Sequence, residues 1–416
     1  MKAPELLVPA GNLEKLRTAL LYGADAVYTG VEGLSLRTDK AEFTFDDLAI
    51  GVKEAHEKGV RVYAALNTFA RNNDLKYVAE AVQNLSAMEI DGVIISDPGV
   101  LQVIKETKSR MTIHLSTQAN TTNTEAIRFW RQQGVERIVL ARELRLKEIA
   151  EIAQAVPEME IELFIHGAMC MAYSGRCFLS AALTGRSANR GECTHPCRWE
   201  YQLQEKTRPG EPFILEEDGG SSGRYSYILS SKDLCMIDYL PEILAAGVSS
   251  LKIEGRMKSV YYVAAVTRVY RWALDAARSC IDARNEEYQV KQEWREELGK
   301  VSNRGYTTGF YLTETEMINE TNPDSGYEQT HGLVGTVLAY DEKNGRLRLK
   351  VRNLMENGDC LELLLPDRTV TLDSKCLTDL EGNPITRAHN GYEVFLRMRD
   401  SCFHIPEGAV VRKFRG

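Results

Sequence analysis

Residues 162–198 read ELFIHGAMCMAYSGRCFLSAALTGRSANRGECTHPCR, and the rest of the chain is best understood from this stretch outward. Its first six residues are apolar, β-prone and short, which predicts a buried strand. Four glycines in the same stretch favour a loop after that strand, with enough backbone freedom to wrap a ligand. That loop carries four of the nine cysteines of the chain: Cys170, Cys177, Cys193 and Cys197.

The opening strand belongs to a series of short apolar runs separated by amphipathic segments such as 13–23 and 45–59. The predicted strands are 5–10, 25–30, 61–67, 92–96, 112–118, 137–142, 161–167 and 250–255. Alternating strands and helices of this number predict an α/β fold, a parallel (β/α)8 TIM-like barrel. An open doubly wound sheet is the alternative. No G-x-G-x-x-G follows the first strand, so a dinucleotide site is not indicated.

The pattern changes twice after the cysteine loop. Residues 199–234 alternate apolar and polar side chains around PG and DGG, which predicts a β-hairpin insertion in a barrel domain spanning 1–300. Residues 301–330 are polar and punctuated by Asn-Pro and Gly, which is typical of a linker. Short strands and turns in 331–416 then predict a separable small β-barrel domain.

The composition is that of an ordinary globular protein, with 44% apolar and 26% charged residues in a chain of 416. A net charge of −8 argues against a protein that coats nucleic acid generally, but it allows a local basic patch. No apolar run approaches the ~20 residues of a membrane helix. The N-terminus lacks the apolar core of a signal peptide, so we expect a cytoplasmic protein with reduced thiols and no membrane partner.

Four cysteines in one loop allow several interpretations. A lone cysteine is often a small buried hydrophobe, but four together in a glycine-rich loop are not explained in that way. Disulfides are disfavoured in a reduced chain. Structural zinc prefers C-x2-4-C pairs, so the C-x6-C spacing is loose for zinc although the C-x3-C spacing is acceptable. We therefore expect an iron–sulfur cluster first and zinc second, with His195 as an imaginable further ligand.

The motif E-x-F-x2-G-A-M-C-x4-G-x-C-x-L-S, from Glu162 to Ser180, resembles the signature of peptidase family U32. Further segments (PAGN, GADAVYTG, ALNTF, STQAN, KIEGR, NRGYTTGF) extend the resemblance along nearly the whole chain, towards the branch that hydroxylates tRNA. The resemblance implies a 4Fe–4S cluster on the four loop cysteines, with Cys235 as a reserve ligand. It also implies tRNA and a paralogous subunit as partners, and prephenate as a co-substrate.

In β/α barrels the active site lies at the carboxyl ends of the strands. The polar residues predicted there are Asn67, Asp97, His114, Gln118, Arg142, Glu143, His166, Lys252, Glu254 and Arg256. We assign catalytic roles to His114, Glu254 and Arg256, and substrate binding to Asn67, Gln118, Arg142, Lys252 and Arg256. The alternatives are a hydrogen-bonded barrel histidine for His114 and structural ion pairs for KIEGR and Glu162.

Arginine grips carboxylates through two parallel hydrogen bonds. Arg142 and Arg256 are therefore expected to hold a small anionic metabolite such as a dicarboxylate between them, and the family resemblance implies that this is prephenate.

Three functions fit these residues. The first, which the family resemblance implies, is oxygen-independent hydroxylation of the tRNA wobble uridine to 5-hydroxyuridine by an iron–sulfur protein. The second is the literal family name, a collagenase-like peptidase, although the sequence has no H-E-x-x-H and no G-x-S-x-G. The third is an RNA-binding scaffold for a separate catalyst.

Overall fold

The computed structural model describes residues 3–31, 34–35, 43–202, 206–207, 227, 229–283, 287–312, 327–398 and 404–415. Most of the predicted hairpin insertion (199–234) lies outside the described residues, so the hairpin stays a prediction.

Eight parallel strands close into a barrel, with strand order β1 to β7 followed by β9, which pairs back with β1. The strands up to this closure are β1 (Glu5–Pro9), β2 (Ala26–Gly30), β3 (Arg61–Leu66), β4 (Gly92–Ile95), β5 (Thr112–Leu115), β6 (Arg137–Val139), β7 (Glu160–Ala168), β8 (Asp233–Cys235) and β9 (Ser250–Ile253). The predicted TIM-like barrel is confirmed. The open-sheet alternative is wrong, because β9 bonds to β1 on one side and to β7 on the other.

Helices cover the outside of the barrel. They are α1 (Leu13–Leu21), α2 (Phe45–Glu57), α3 (Asn72–Ala87), α4 (Pro98–Thr107), α5 (Thr124–Gln132), α6 (Leu146–Ala155), α8 (Leu240–Ala245), α9 (Val260–Ala283) and α10 (Gln292–Lys300), whereas the short α7 (Leu179–Thr184) lies within the cysteine loop. Several begin at a side-chain cap of the kind that satisfies free backbone N–H groups: Asn12 accepts from Lys15 N, and Asn123 accepts from Ala126 N. Their apolar faces pack on the strands and build the main core.

Two strand ends shape the mouth of the barrel. β5 ends at Leu115, earlier than predicted, because the Ser116 side chain caps a 3-10 turn over Thr117–Ala119 and accepts from Gln118 N. Gly167 has φ +105°, and a Cβ there would lie 2.3 Å from the backbone oxygen of Glu254. Only glycine therefore allows β7 and the segment after β9 to approach this closely.

Two short strands extend the sheet beyond the barrel. β8 is antiparallel to the end of β7, and β10 (Tyr306–Thr307) pairs with β8. Arg304 is buried and bonds to Asp233 at 2.6 Å, while the Tyr311 hydroxyl donates to Phe164 O at 2.8 Å. The linker prediction for 301–330 is therefore wrong for its first part. Polar residues there are buried and paired with the barrel rather than solvated.

The C-terminal region is a curled antiparallel sheet with its own core. Its strands are β11 (His331–Asp341), β12 (Arg346–Val351), β13 (Met355–Glu356), β14 (Cys360–Leu364), β15 (Thr369–Asp373), β16 (Arg387–Ala388), β17 (Glu393–Arg397) and β18 (Val410–Phe414). Six of them follow the order β15-β14-β18-β11-β12-β17, and β13 pairs with β16.

The C-terminal sheet docks on α1, α9 and α10 through buried polar contacts. The Tyr22 hydroxyl donates to Leu364 O at 2.7 Å and accepts from Val410 N at 3.1 Å. Arg412 is fully buried, and its Nη2 lies 2.9 Å from Glu297 Oε2, whose carboxylate also bonds to Arg268 at 3.0 Å. These groups would lose their partners if the two parts separated, which opposes independent movement of the C-terminal sheet.

Within the described part of the chain, no helix is both long and apolar enough to cross a membrane.

Candidate functional site at the barrel mouth

A pocket opens at the carboxyl ends of the barrel strands, and we call it the mouth pocket. The polar residues predicted for it that do line it are Asn67, Gln118, Arg142, Glu143, Lys252, Glu254 and Arg256. Cys170, Cys177, Cys193 and Cys197 line the same pocket. The cysteine loop and the strand ends therefore form one site.

The cysteine loop places its thiols against this pocket. The Cys177 Sγ accepts a hydrogen bond from Leu179 N at 3.3 Å, and both backbone groups of Cys177 bond to the Asn189 side chain at 3.2 Å. Burial raises the pKa of the Cys197 thiol, Arg198 opposes that rise, and the nearby Cys170 and Cys193 add to it. Thiols held together in this way need a cation to become stable thiolates.

The structure separates Cys235 from the other four cysteines. It lies on β8 outside the mouth pocket, its Sγ is 3.6 Å from the Tyr270 hydroxyl, and burial raises the pKa of its thiol to about 11. His195 does line the pocket, with its Nδ1 4.0 Å from the Cys193 Sγ. Among the described residues, no group of three or more His, Cys, Asp or Glu side chains is arranged to hold a single metal ion.

Hydrogen bonds tie the cysteine loop to the barrel wall. Arg176 Nε donates to Gln118 O at 2.7 Å, and Phe69 N donates to Asn189 O at 3.1 Å. Ser174 N donates to the Glu143 carboxylate at 2.7 Å. Ser174 also has φ +48°, a left-handed conformation that persists only when such surrounding contacts fix it.

Two amide side chains meet on one wall of the pocket. Asn67, just after β3, donates from Nδ2 to Gln118 Oε1 at 2.9 Å, and Ser116 Oγ donates to the same oxygen at 3.4 Å. Asn67 Oδ1 and Gln118 Nε2 are both buried without a protein partner. A buried polar atom without a partner is costly, so this wall is suited to a polar ligand.

Cationic side chains form another part of the wall. Arg142 stacks 3.8 Å above the Phe164 ring and donates from Nη1 to Ala168 O at 2.7 Å, while its buried Nε has no partner. Arg256 is almost fully buried and donates from Nη2 to Ser35 Oγ at 3.0 Å. Lys252 Nζ bonds to Glu162 at 2.8 Å, which confirms that Glu162 belongs to a barrel ion pair.

Glu254 lies nearer to Arg142 than to Arg256, although Glu254 and Arg256 were predicted to act together. Glu254 Oε2 is 3.9 Å from Arg142 Nη2, whereas no ion pair within 4.0 Å joins Glu254 and Arg256, both of which are described. A Cβ on Gly30 would lie 2.8 Å from Arg256 Nη1, so this strand end leaves space for the guanidinium.

His114 is not at the mouth, which corrects its predicted position among the catalytic residues. Its ring packs 4.5 Å from that of Tyr63 in a cavity towards the amino ends of the strands, and its Nε2 lies 3.0 Å from Thr112 Oγ1. Burial, followed by the charge of Arg137, holds the pKa of His114 well below its usual value. The prediction was wrong because His114 lies inside β5 in register with Arg137, the first residue of β6, rather than at the carboxyl end of the strand.

Two further residues predicted at the mouth make structural contacts instead of lining the pocket. Asp97 caps α4 by accepting from Gly99 N at 2.8 Å and Val100 N at 3.1 Å. His166 points away from the mouth pocket and packs beside Tyr270, with its Nδ1 3.3 Å from that hydroxyl.

Sequence reasoning missed the aromatic side chains around the mouth. Tyr173, Phe178 and Trp199 are 56%, 82% and 43% exposed, and each is adjacent in the chain to residues that line the pocket. The available signal was the composition of residues 170–199, which contain four arginines and one glutamate in a chain of net charge −8. We call these three aromatic residues the aromatic rim.

Comparison with known proteins identifies the family of the chain and several relatives that match most of its length. The family described as Peptidase family U32 matches residues 11–321, and the Peptidase family U32 C-terminal domain matches residues 329–412. The chain is 38% identical to the tRNA hydroxylation protein P1 of Bacillus subtilis, over 94% of this chain and 91% of that protein. It is 37% identical to the tRNA hydroxylation protein P of Escherichia coli, over 95% and 94% respectively. A Porphyromonas gingivalis protein named Collagenase is 35% identical over 95% of each chain.

Proposed function

Because the chain belongs to peptidase family U32, we propose that it hydroxylates the wobble uridine of tRNA at carbon 5 with the help of an iron–sulfur cluster. Two relatives whose names state tRNA hydroxylation align with more than nine tenths of it. The observation that carries the proposal is the convergence of four cysteines on one pocket that also presents arginine and amide side chains.

The loop cysteines fit a 4Fe–4S cluster, the resident group we propose. Four thiols face one pocket, and the N–H···S bond from Leu179 to Cys177 is of the kind that tunes cluster potentials. When bound, the cluster supplies one-electron transfer beside the substrate. Zinc is the alternative occupant, and iron and zinc analysis of anaerobically prepared protein distinguishes the two.

Hydroxylation at carbon 5 replaces C–H by C–OH, which adds one oxygen atom and removes two electrons from the uracil. Without molecular oxygen, the oxygen atom must come from water or an organic co-substrate, and an electron acceptor must take the two electrons. The wall of Arg142, Lys252 and Arg256 is suited to a carboxylate-bearing co-substrate, and the buried Nε of Arg142 offers it a free donor. By family resemblance we propose prephenate as the co-substrate that binds there.

The mouth of the pocket is also suited to RNA. Exposed aromatic rings stack on unpaired bases, and arginines bind phosphates. The aromatic rim lies in the segment 170–199, which also carries four arginines and one glutamate, whereas the rest of the chain is acidic. A loop of tRNA, whose bases are already unpaired, is the form of RNA that such a surface binds best.

Mass spectrometry of tRNA nucleosides tests the proposal directly. Cells that lack this gene should lose 5-hydroxyuridine and its derivatives, and a plasmid copy should restore them. A copy carrying Cys177→Ser should not restore them, whereas one carrying Cys280→Ser, on the outer helix α9, should. Unchanged 5-hydroxyuridine in the deletion strain, verified to contain no second homologous gene, would contradict the proposal.

A peptidase is the second candidate, favoured by the Collagenase relative and by the 4.0 Å approach of Cys193 Sγ to His195 Nδ1. A cysteine nucleophile activated by a histidine would need such a pair. The two functions make opposite predictions for iron. A peptidase should cleave gelatin best when iron is absent, whereas an iron–sulfur protein should show no cleavage in either state.

A further inference from the structure

We propose that Asn67 and Gln118 read the hydrogen-bonding edge of the target base and select uracil. The Asn67 Oδ1 accepts the N3–H of the base, and the Gln118 Nε2 donates to its O4 carbonyl oxygen. This inference rests on the proposed function, since it assigns the residues that recognise the substrate base in the same pocket.

The hydrogen bonds around the pair determine which amide atoms remain unpaired. Gln118 Oε1 accepts from Asn67 Nδ2 at 2.9 Å and from Ser116 Oγ at 3.4 Å, so the Gln118 amide is oriented with its oxygen towards the protein. That leaves Gln118 Nε2 as a donor and Asn67 Oδ1 as an acceptor, both buried and both without a protein partner. Gln118 is only 3% exposed, so solvent does not replace the missing partner.

Uracil complements this pair. Its imide edge presents one N–H donor between two carbonyl acceptors, which match one acceptor and one donor in the protein. Cytosine presents an unprotonated N3 and an amino group at the corresponding positions, so both contacts become mismatched. A site built to bond a particular polar edge rejects the wrong one because its own buried groups stay unpaired.

The amide pair also lies beside the cysteine loop. The backbone oxygen of Gln118 accepts from Arg176 Nε at 2.7 Å, and Arg176 immediately precedes Cys177. Asn67 and Gln118 line the mouth pocket together with all four loop cysteines. A base bonded to the two amides is therefore held within the pocket that the cysteines face.

The test uses binding to three versions of one anticodon stem-loop RNA, which carry uridine, 3-methyluridine or cytidine at the wobble position. Methylation at N3 removes the donor that Asn67 is proposed to accept. Edge-reading pairs discriminate by about 1–3 kcal/mol, which is roughly a 5- to 150-fold change in Kd. The wild-type chain should bind the uridine RNA tighter than the other two by a factor in that range.

Gln118→Glu keeps the shape of the side chain and removes the donor. It should weaken binding of the uridine RNA to the level of the 3-methyluridine RNA without weakening binding of the cytidine RNA. Gln132→Glu, at the exposed end of α5, makes the same charge change outside the pocket and should retain the full preference. Thermal melting of each variant shows whether it is folded.

The outcomes separate this inference from the proposed function. Equal binding of the uridine and 3-methyluridine RNAs by the wild type, unchanged discrimination in Gln118→Glu, or no RNA binding at all would overturn the base-reading pair. Uridine-selective binding in a protein whose deletion leaves cellular 5-hydroxyuridine intact would support the pair and overturn the proposed reaction. Loss of 5-hydroxyuridine on deletion, in a protein that shows no uridine-selective binding, would support the proposed reaction and overturn the base-reading pair.

Discussion

Arg176 Nε donates to the backbone oxygen of Gln118 at 2.7 Å, and this bond joins the cysteine loop to the turn that follows β5. Residues 58 positions apart in the sequence are thereby fixed relative to each other. Arg176 immediately precedes Cys177 in the chain, and the side chain of Gln118 carries a buried amide nitrogen without a protein partner. Cluster binding and substrate binding are therefore expected to depend on the same contact.

Each of four single serine substitutions should remove most of the iron and visible absorbance from anaerobically prepared protein. The four positions are Cys170, Cys177, Cys193 and Cys197. The hydroxyl is a poor ligand for iron compared with a thiolate, and each cysteine faces the same pocket. Cys235→Ser and Cys280→Ser are the controls and should keep both signals, because neither residue lines that pocket. Full iron retention in all four single variants would contradict the assignment.

Arg142→Lys should weaken binding of a dicarboxylate co-substrate although the positive charge is kept. Lysine cannot reproduce the planar guanidinium, which stacks on Phe164 and presents Nε to the pocket. Loss of one charge-assisted contact costs about 1.5–3 kcal/mol, or roughly 10- to 150-fold in affinity. Titration calorimetry with prephenate measures this, and Arg145→Lys, which is exposed at the start of α6, is the matched control.

Phe178→Ala should reduce affinity for an anticodon stem-loop RNA. Stacking of one base on an aromatic ring contributes about 1–3 kcal/mol, so we expect a 5- to 150-fold rise in Kd, roughly. Phe178→Tyr should retain most of the affinity because the ring remains. Phe129 is 54% exposed on α5, outside the pocket, and Phe129→Ala should change nothing. Equal affinities for all four proteins would exclude stacking on the rim.

His166→Gln should change the acid stability of the protein. Burial, followed by the charge of Lys258, lowers the pKa of His166 from 6.5 to about 3. Between these two values the unfolded chain binds a proton that the folded chain does not, so the free energy of unfolding falls as the pH is lowered. This group contributes a slope of up to about 1.4 kcal/mol per pH unit.

The measurement is urea unfolding of the wild type and of His166→Gln at several pH values from 7 to 4, roughly the upper part of that window. The wild type should lose more stability than the variant as the pH falls, and the difference should vanish above pH ~7. Parallel curves for the two proteins would show that His166 is not kept neutral by burial.

The sequence predicted the barrel well because each of its strands is a local feature. Apolar runs such as the one that ends at Gly167 are complete within a few residues, and glycines mark the helix ends. The ends of the strands were predicted less well. The prediction ended β5 three residues too late, and it separately placed His114 among the mouth residues although its ring lies with Tyr63 inside the barrel.

Polar residues that pair over long distances were beyond the reach of local patterns. Arg304 bonds to Asp233, which lies 71 positions earlier, and this pair converts part of an apparently polar linker into buried structure. The same limit applies to the bond between Asn67 and Gln118. The predicted strand ends placed both residues near the mouth. Only the structure shows that they contact each other and that the contact leaves one atom of each amide unpaired.

The docking of the C-terminal sheet on α1 and α9 also bears on the order in which the protein folds. β1 pairs with β9, so Glu5 meets Ser250 only after most of the barrel sequence has been made. Arg412, which bonds to Glu297, is synthesised later still. Contacts of such high sequence separation form slowly, and a growing chain exposes unpaired edges at β1 and β7 until they do. We therefore expect chaperone binding and aggregation of the nascent protein to concentrate on those two strand edges, and to end when β9 has left the ribosome and paired with both.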